Sequence, residues 1–438
     1  MNPLPGGPEI RNLMPVEICM KAVGKRLPIL PALLLVWLLF PSACTPKIMS
    51  IDEARQISLS SRPKTFEPPP RRIEDILKIL DHHELSDNEI RRNYLKLLSS
   101  PPPSSDSSNF YLQRAKTSLY NMDFRRFQEN ITKAYEIDKG SNLEILHNMA
   151  VAEEGVGNHA KAVDLCAKAI KAEGQLPGYV HPRIWLILIH LRNGNLLEAQ
   201  RVFEDSRSRY VFSEKEWWVE RRLKWVEALL LDANGRHSEA DEKWSRVLEM
   251  AKRGGGGAAV GMVQIKSTYI QRCLQQGRFS TAEIESRDLI GYLITQAGKD
   301  SGLIPFGLIT LSDVLLAQGR SAEAEQVVKR ALQIRENLGI APYDADSAMF
   351  YERLIDIACI RHDYAGAVRY YDDATSNFKN NPYVIRQYFS SNRNIILALI
   401  KTGRAREAME IIDLISGTKD AFGGDPVELL LLRGMAHF

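Results

Sequence analysis

From about residue 108 onward, small, apolar and polar positions return in the same order eight times. Each unit is keyed by a glycine-like position, at Met122, Gly157, Gly194, Gly235, Gly277, Gly319, His362 and Gly403. The spacings between them are 35, 37, 41, 42, 42, 43 and 41 residues. Two residues on stands an aromatic or His in several units: Phe124, His159, His237, Phe279, Tyr364. Five residues on stand Phe127, Ala162, Ala199, Ala240, Ala282, Ala324, Ala367 and Ala408. Nine on is an apolar set led by Ile131, Phe203, Trp244 and Ile412, and twelve on a small or aliphatic set led by Ala134, Ala169 and Ala331. Glycine ends a helix by taking the left-handed conformation, and the chain can then turn tightly into a second, antiparallel helix. Alanine at the closest approach lets the two axes come near each other. The pattern predicts eight helical hairpins, one after another, over 108–438.

A unit of this design cannot bury its apolar face alone, so neighbours must stack. The repeat resembles the tetratricopeptide repeat, a helix–turn–helix of about 34 residues. The stretch 319–339, GRSAEAEQVVKRALQIRENLG, matches that family's second helix closely. The longer spacing is similar to the kinesin-light-chain-like variant. The resemblance implies an all-α fold, a right-handed α-solenoid of about eight repeats, with a long concave groove lined by the first helix of each unit. Val427 to His437 reads as a final helix over the open end of the stack or as the start of a further, truncated unit.

Ahead of the array the pattern changes. Residues 20–44 carry a basic cluster (Lys21, Lys25, Arg26), an apolar run from Leu27 to Phe40, then small residues, as a secretory signal does. That run is short of the ~20 residues a membrane-spanning helix needs. The 19 residues before Met20 fit no part of such a signal, and Met20 is read as the true start. Ser42-Ala43-Cys44 resembles the lipobox of bacterial lipoproteins, with Pro41 where that family usually carries an aliphatic residue. The resemblance implies removal of 1–43, acylation at Cys44 and, with Thr45 next, the periplasmic face of the outer membrane. Without acylation the same signal implies a secreted or periplasmic protein. Residues 44–107 are rich in Pro and Ser and fit a tether. Within it a short helical pair is expected at about 71–99, marked by Ile73, Ile76, Leu77, Leu80 and by Ile90, Tyr94, Leu95, Leu98, with Ser86 and Glu89 as a capping box. The pair is too small for its own core, so it is expected to dock on the body or a partner.

Composition narrows the function classes. With 45% hydrophobic and 25% charged residues the chain is ordinary folded protein, and a net charge of +3 gives no basic field for nucleic acid. Five cysteines exclude a disulfide-dense scaffold, and Cys166, Cys273 and Cys359 show no metal-ligand spacing. Cys166 and Cys359 fall on apolar helix positions, as small hydrophobes. The adjacent His82 and His83 do not share a helix face, and His159 and His237 read as packing residues. Gly254 to Gly257 lack the Gly-Lys-Ser/Thr of a phosphate loop and read as a linker between repeats. No catalytic triad, paired carboxylates or metalloprotease motif stands out, so the chain is read as a non-enzyme without cofactor or metal.

The richest binding candidate is the block 215–225, KEWWVERRLKW. Trp218, Arg222, Trp225 and Leu229 share one helix face, and Trp and Arg dominate interface hot spots. His181 and Ile184 of the preceding unit and Gln264, Ser267 and Gln271 of the next flank the same groove, with Arg393 as a separate candidate near the C-terminus. The expected function is that of a scaffold or assembly factor, holding a segment of a partner protein of an envelope complex in its groove and held to the membrane through the lipid at Cys44. The alternative is capture of a glycan or peptide ligand, against which stands the absence of large insertions in the array.

Overall fold

The computed structural model describes residues 72–82, 96–97, 99–100, 107–173, 180–210, 217–251, 258–298, 301–340, 347–379, 384–385, 389, 392–416 and 426–437. Among them every regular element is helical and there is no strand. Helix α1 spans Ile73–His82. Eight hairpins follow: α2 (Ser108–Tyr120) with α3 (Phe124–Asp138), α4 (Leu143–Gly155) with α5 (His159–Glu173), α6 (His181–Arg192) with α7 (Leu196–Arg209), and α8 (Trp217–Ala233) with α9 (His237–Ala251). Then come α10 (Ala258–Gln275) with α11 (Phe279–Ala297), α12 (Ile304–Ala317) with α13 (Ser321–Asn337), α14 (Ala348–Ile360) with α15 (Tyr364–Phe378), and α16 (Arg393–Lys401) with α17 (Ala405–Ser416). Helix α18, Pro426–His437, packs on α16 and α17 at the end of the array.

All eight turns are built alike. Each keyed position is left-handed, with φ from 53° at Met122 to 85° at Gly157. The next residue's N–H donates back to a carbonyl five residues earlier, at 2.8–2.9 Å in every turn, from Asp123 to Ser118 through Arg404 to Leu399. This is the Schellman closure, which satisfies the carbonyls orphaned at a helix end. Met122 and His362 adopt it without glycine's freedom, at φ 53° and 58°. The residue five on is fully buried in each hairpin, Phe127 of the first included. There the larger ring is accommodated in the same neighbourhood as Phe124, whose own ring occupies the space that a Cβ on Gly155 would need.

Each hairpin packs on the next. The first helices also touch one another directly, α4 with α6, α6 with α8, α10 with α12 and α14 with α16. Among the described residues second helices make no comparable contact, so the array bends toward its first helices, which form the inner wall. Two apolar cores run through it. One joins α2 to α5 and takes in Leu186 and Ile189 of α6; the other runs from α6 to the C-terminus. Trp185 and Val202 pack against both.

The docking expected of the 71–99 segment is seen for its first helix. Ile73, Ile76 and Leu80 of α1 are buried in the larger core against α13. The Glu323 carboxylate accepts from the Ile73 N–H, and Asp81 pairs with Arg330. The second helix of the pair lies largely outside the described residues, as do the signal, Cys44 and Gly254–Gly257.

One expectation is corrected. The inner wall is not an open groove along its whole length, because the turn of the first hairpin rests on the middle of the array. The Asn121 carbonyl lies against Gly302 so closely that a Cβ there would overlap it. Arg335, 1% exposed, donates to the Met122 carbonyl at 3.5 Å and is flanked by Phe306 and Phe350. A turn stands at one edge of the array and the junctions between units at the other, so the coil closes edge to edge at this point.

Candidate functional site

Four first helices bring the sequence candidates together. His181, Arg222 and Gln264 each stand 13 residues before a turn glycine, which puts them on the same face of α6, α8 and α10. Arg222 Nη1 donates to Gln264 Oε1 at 2.8 Å. The His181 ring stacks on Trp218 at 5.3 Å and 16°. His147 of α4 extends the stack, 5.7 Å from His181. The result is a column of three planar rings across three hairpins, with a guanidinium at its end. His181, Trp218, Arg222 and Gln264 are half-buried.

The rest of the predicted stripe turns inward. Trp225, Leu229 and Ile184 are 2%, 6% and 4% exposed and belong to the core. Trp225 serves the site from below, as the ring under Arg222 at 5.6 Å. A face defined on one helix is wider than the strip that neighbouring helices leave uncovered, which is why the stripe was read too broadly. Arg393 opens α16, far along the array, and is not part of this group.

Electrostatically the site is a desolvated cationic corner. Burial, followed by the charge of Arg222 and Lys116, lowers the His181 pKa to about 4. His147 is lowered by burial first and by His181 and Arg222 after it. Both imidazoles are therefore neutral at pH 7. Burial and the adjacent Arg221 lower Arg222 to about 10, so it stays charged. Lys116 and Tyr120 of α2 lie close enough to act on His181 and Arg222, which places the first hairpin across from the fourth.

The inner wall of the second half has another character. Ser267 Oγ and Thr310 Oγ1 are 3.2 Å apart. Gln271 donates to Asp313 at 3.2 Å, and Arg353 lies 2.7 Å from Asp313 and 2.9 Å from Asp356. Asp356 accepts from Asn392 and Asn394 at 3.1 and 2.8 Å. This chain of polar groups crosses four hairpins and is mostly buried. Burial, opposed by Arg353, raises Asp313 to about 7. The sequence points to Ser267 and Gln271 alone among its members, and not to His147, Tyr120 or Arg221, because the polar chain is spread over helices about forty residues apart.

The remaining chemistry is structural. His159 and His237 are exposed in good part, and they hydrogen-bond Glu154 and Asp232 at 2.8 and 3.1 Å, a correction to the packing role expected of them. Burial pushes the Cys166 and Cys359 thiols up to about 12, which leaves them unreactive. Among the described residues no three His, Cys, Asp or Glu side chains are grouped to hold a metal ion. No helix among them is long and apolar enough to cross a membrane.

Comparison with known proteins agrees with this architecture at the level of the repeat. The tetratricopeptide repeat profile matches residues 305–330. No curated protein sequence matches the chain. Among solved structures the chain is similar to the Cut9–Hcn1 hetero-tetramer of the APC/C, at 15% identity and a TM-score of 0.49, over 83% of this chain. It spans 62% of the length of that protein. It is also similar to a Rap protein complexed with competence and sporulation factor, at 13% identity and a TM-score of 0.40, over 76% of this chain and 94% of that one. A tetratricopeptide repeat protein from Parabacteroides merdae is 14% identical with a TM-score of 0.35, over 61% and 96%. The chain is an all-α array of helical hairpins among the described residues, one stretch of which matches the tetratricopeptide repeat profile.

Proposed function

We propose that the chain is a non-catalytic scaffold or assembly factor that holds a segment of a partner protein on the inner wall of its first four hairpins. The observation that carries this reading is the His147–His181–Trp218 column beside Arg222. Partly exposed aromatic rings beside a desolvated cation are the chemistry of binding hot spots. In the second half the polar groups of the inner wall already bond one another, so they have less to gain from a partner. The signal-like segment and Cys44 support a periplasm-facing outer-membrane lipoprotein, part of an envelope complex. Docking of α1 on α13 gives the tether a fixed point on the body.

The test is capture from a detergent-solubilised envelope with the wild-type chain and with His181→Ala/Trp218→Ala. Circular dichroism melting first establishes that the variant is folded. The wild type is expected to retain a partner that the variant loses. An unchanged set of captured proteins contradicts the assignment of the site.

A further inference from the structure

Most buried arginines in this array are paired with carboxylates. Arg183 pairs with Asp205, Arg192 with Glu154, Arg272 with Asp232 and Asp241, Arg287 with Glu283, and Arg353 with Asp313 and Asp356. Each of these guanidinium groups is met by a carboxylate, as burial of charge requires, while the buried Arg335 donates to the Ser347 hydroxyl and the Met122 carbonyl. Arg221 and Arg222 meet no carboxylate among the described residues, and two nitrogens of Arg221 meet no acceptor there at all.

Arg221 is 4% exposed and lies over the Trp217 ring at 4.9 Å. Its Nε and Nη1 are buried and find no hydrogen-bond partner among the described residues. Among the described residues Arg222 bonds only the neutral Gln264, and it rests on Trp225. The two side chains converge over Gly261 of α10, where a methyl group would lie 2.9 Å from Arg222 Nη2 and 3.8 Å from Arg221 Nη2. Tyr292 of α11 is close enough to act on Arg221, and its hydroxyl is buried and likewise without a partner. Gly261 stands in the first turn of α10 and Arg221 in the second turn of α8, so both helix N-termini add positive potential. Cation–π contact offsets part of the desolvation of a guanidinium, but it supplies no acceptor for the N–H groups.

We propose that this edge between the fourth and fifth hairpins binds a compact oxyanion, a carboxylate or a phosphate group, at Arg221, Arg222 and Tyr292. The anion accepts from the unpartnered N–H groups of Arg221 and from the Tyr292 hydroxyl, and it supplies the counter-charge that Arg183, Arg192, Arg272, Arg287 and Arg353 draw from the protein. Arg222 adds its charge from the groove side. This site stands independently of the partner reading above, since its ligand can be a free anion or one carried on a larger molecule.

The experiment is calorimetric titration of the full chain in detergent with sodium phosphate and with sodium acetate, against sodium chloride at equal ionic strength. One-to-one saturable binding of at least one oxyanion is expected. Arg221→Gln is expected to weaken it at least about tenfold, the loss of charge-assisted hydrogen bonds. Tyr292→Phe keeps the ring and removes one donor, so it reads the site even where Arg221→Gln fails to fold, and it is expected to weaken binding about threefold or more. Arg125→Gln, at an exposed surface pair with Glu129, is expected to bind as wild type. Binding of acetate alone assigns a carboxylate, and of phosphate alone a phosphoryl group. Neither anion binding above the chloride reference, or Tyr292→Phe and a folded Arg221→Gln binding as tightly as wild type, overturns the proposal.

Discussion

The two halves of the inner wall solve the same packing problem in opposite ways. In hairpins one to four, rings and cations face inward, and Arg221 and Arg222 meet no carboxylate among the described residues. In hairpins five to eight, the first helices carry Ser267, Thr310, Asp313, Arg353 and Asp356, bonded to one another from unit to unit. The outer scaffold is alike in both halves, with the same Schellman turns and the same buried small residue. The difference therefore lies in what each half does with its polar groups. The second half uses them to join its repeats, and the first, which joins repeats at Arg192–Glu154, leaves the group around Trp218 and Arg222 for something else to meet.

The largest expected effect comes from cutting the polar chain. Arg353→Met leaves Asp313 and Asp356 buried without their cation, and breaking such a pair from one side costs about 3–5 kcal/mol. Urea unfolding followed by circular dichroism should show the loss, and Asp313→Asn combined with Arg353→Met should recover part of it. A smaller cost is expected at the contact that closes the coil. Gly302→Val forces the Asn121 turn away from the array, at about 1–3 kcal/mol as for other overpacked sites. Small-angle scattering should show a larger radius of gyration, because the first hairpin swings free. An unchanged radius would show that the closure is not held at this point.

The halves should also answer pH with opposite signs. His147 and His181 have pKa values lowered from 6.5, the latter to about 4, so the folded state binds fewer protons than the unfolded. Their contribution is present above pH 6.5 and is lost as pH falls through about 4. Asp313 is raised from 3.8 to about 7, so its contribution is present below pH 3.8 and is lost as pH rises through about 7. Amide hydrogen exchange, corrected for its intrinsic rate, should show α4 and α6 less protected at pH 5 than at pH 7. Helices α12 and α14 should be less protected at pH 8 than at pH 6, and Asp313→Asn should remove that second response.

The repeat was legible because its physics is local. A left-handed turn followed by a small residue at the closest approach writes the same letters eight times, and Met122 and His362 could be placed by phase alone. Docking of α1 followed from Ile73, Ile76 and Leu80, which had no core of their own. The site was legible only in part. Trp218, Arg222, His181 and Gln264 were found from residue type and register, but the burial of Trp225 and Leu229 depends on how neighbouring helices cover α8. The Asn121–Gly302 contact joins residues about 180 apart, and no periodicity carries it. Arg221 looked like any other charge in a basic block, because the lack of a carboxylate is a property of its surroundings.

The central claim is that a partner engages the inner wall of the first half. Site-specific photo-crosslinking in intact cells tests it most directly, with a benzophenone side chain placed at Trp218, at Ser267 or at Leu197, which is 87% exposed on α7. The account predicts a crosslinked polypeptide from position 218, little from 267 and none from 197. Equal crosslinking at all three positions, or none at 218, would contradict it.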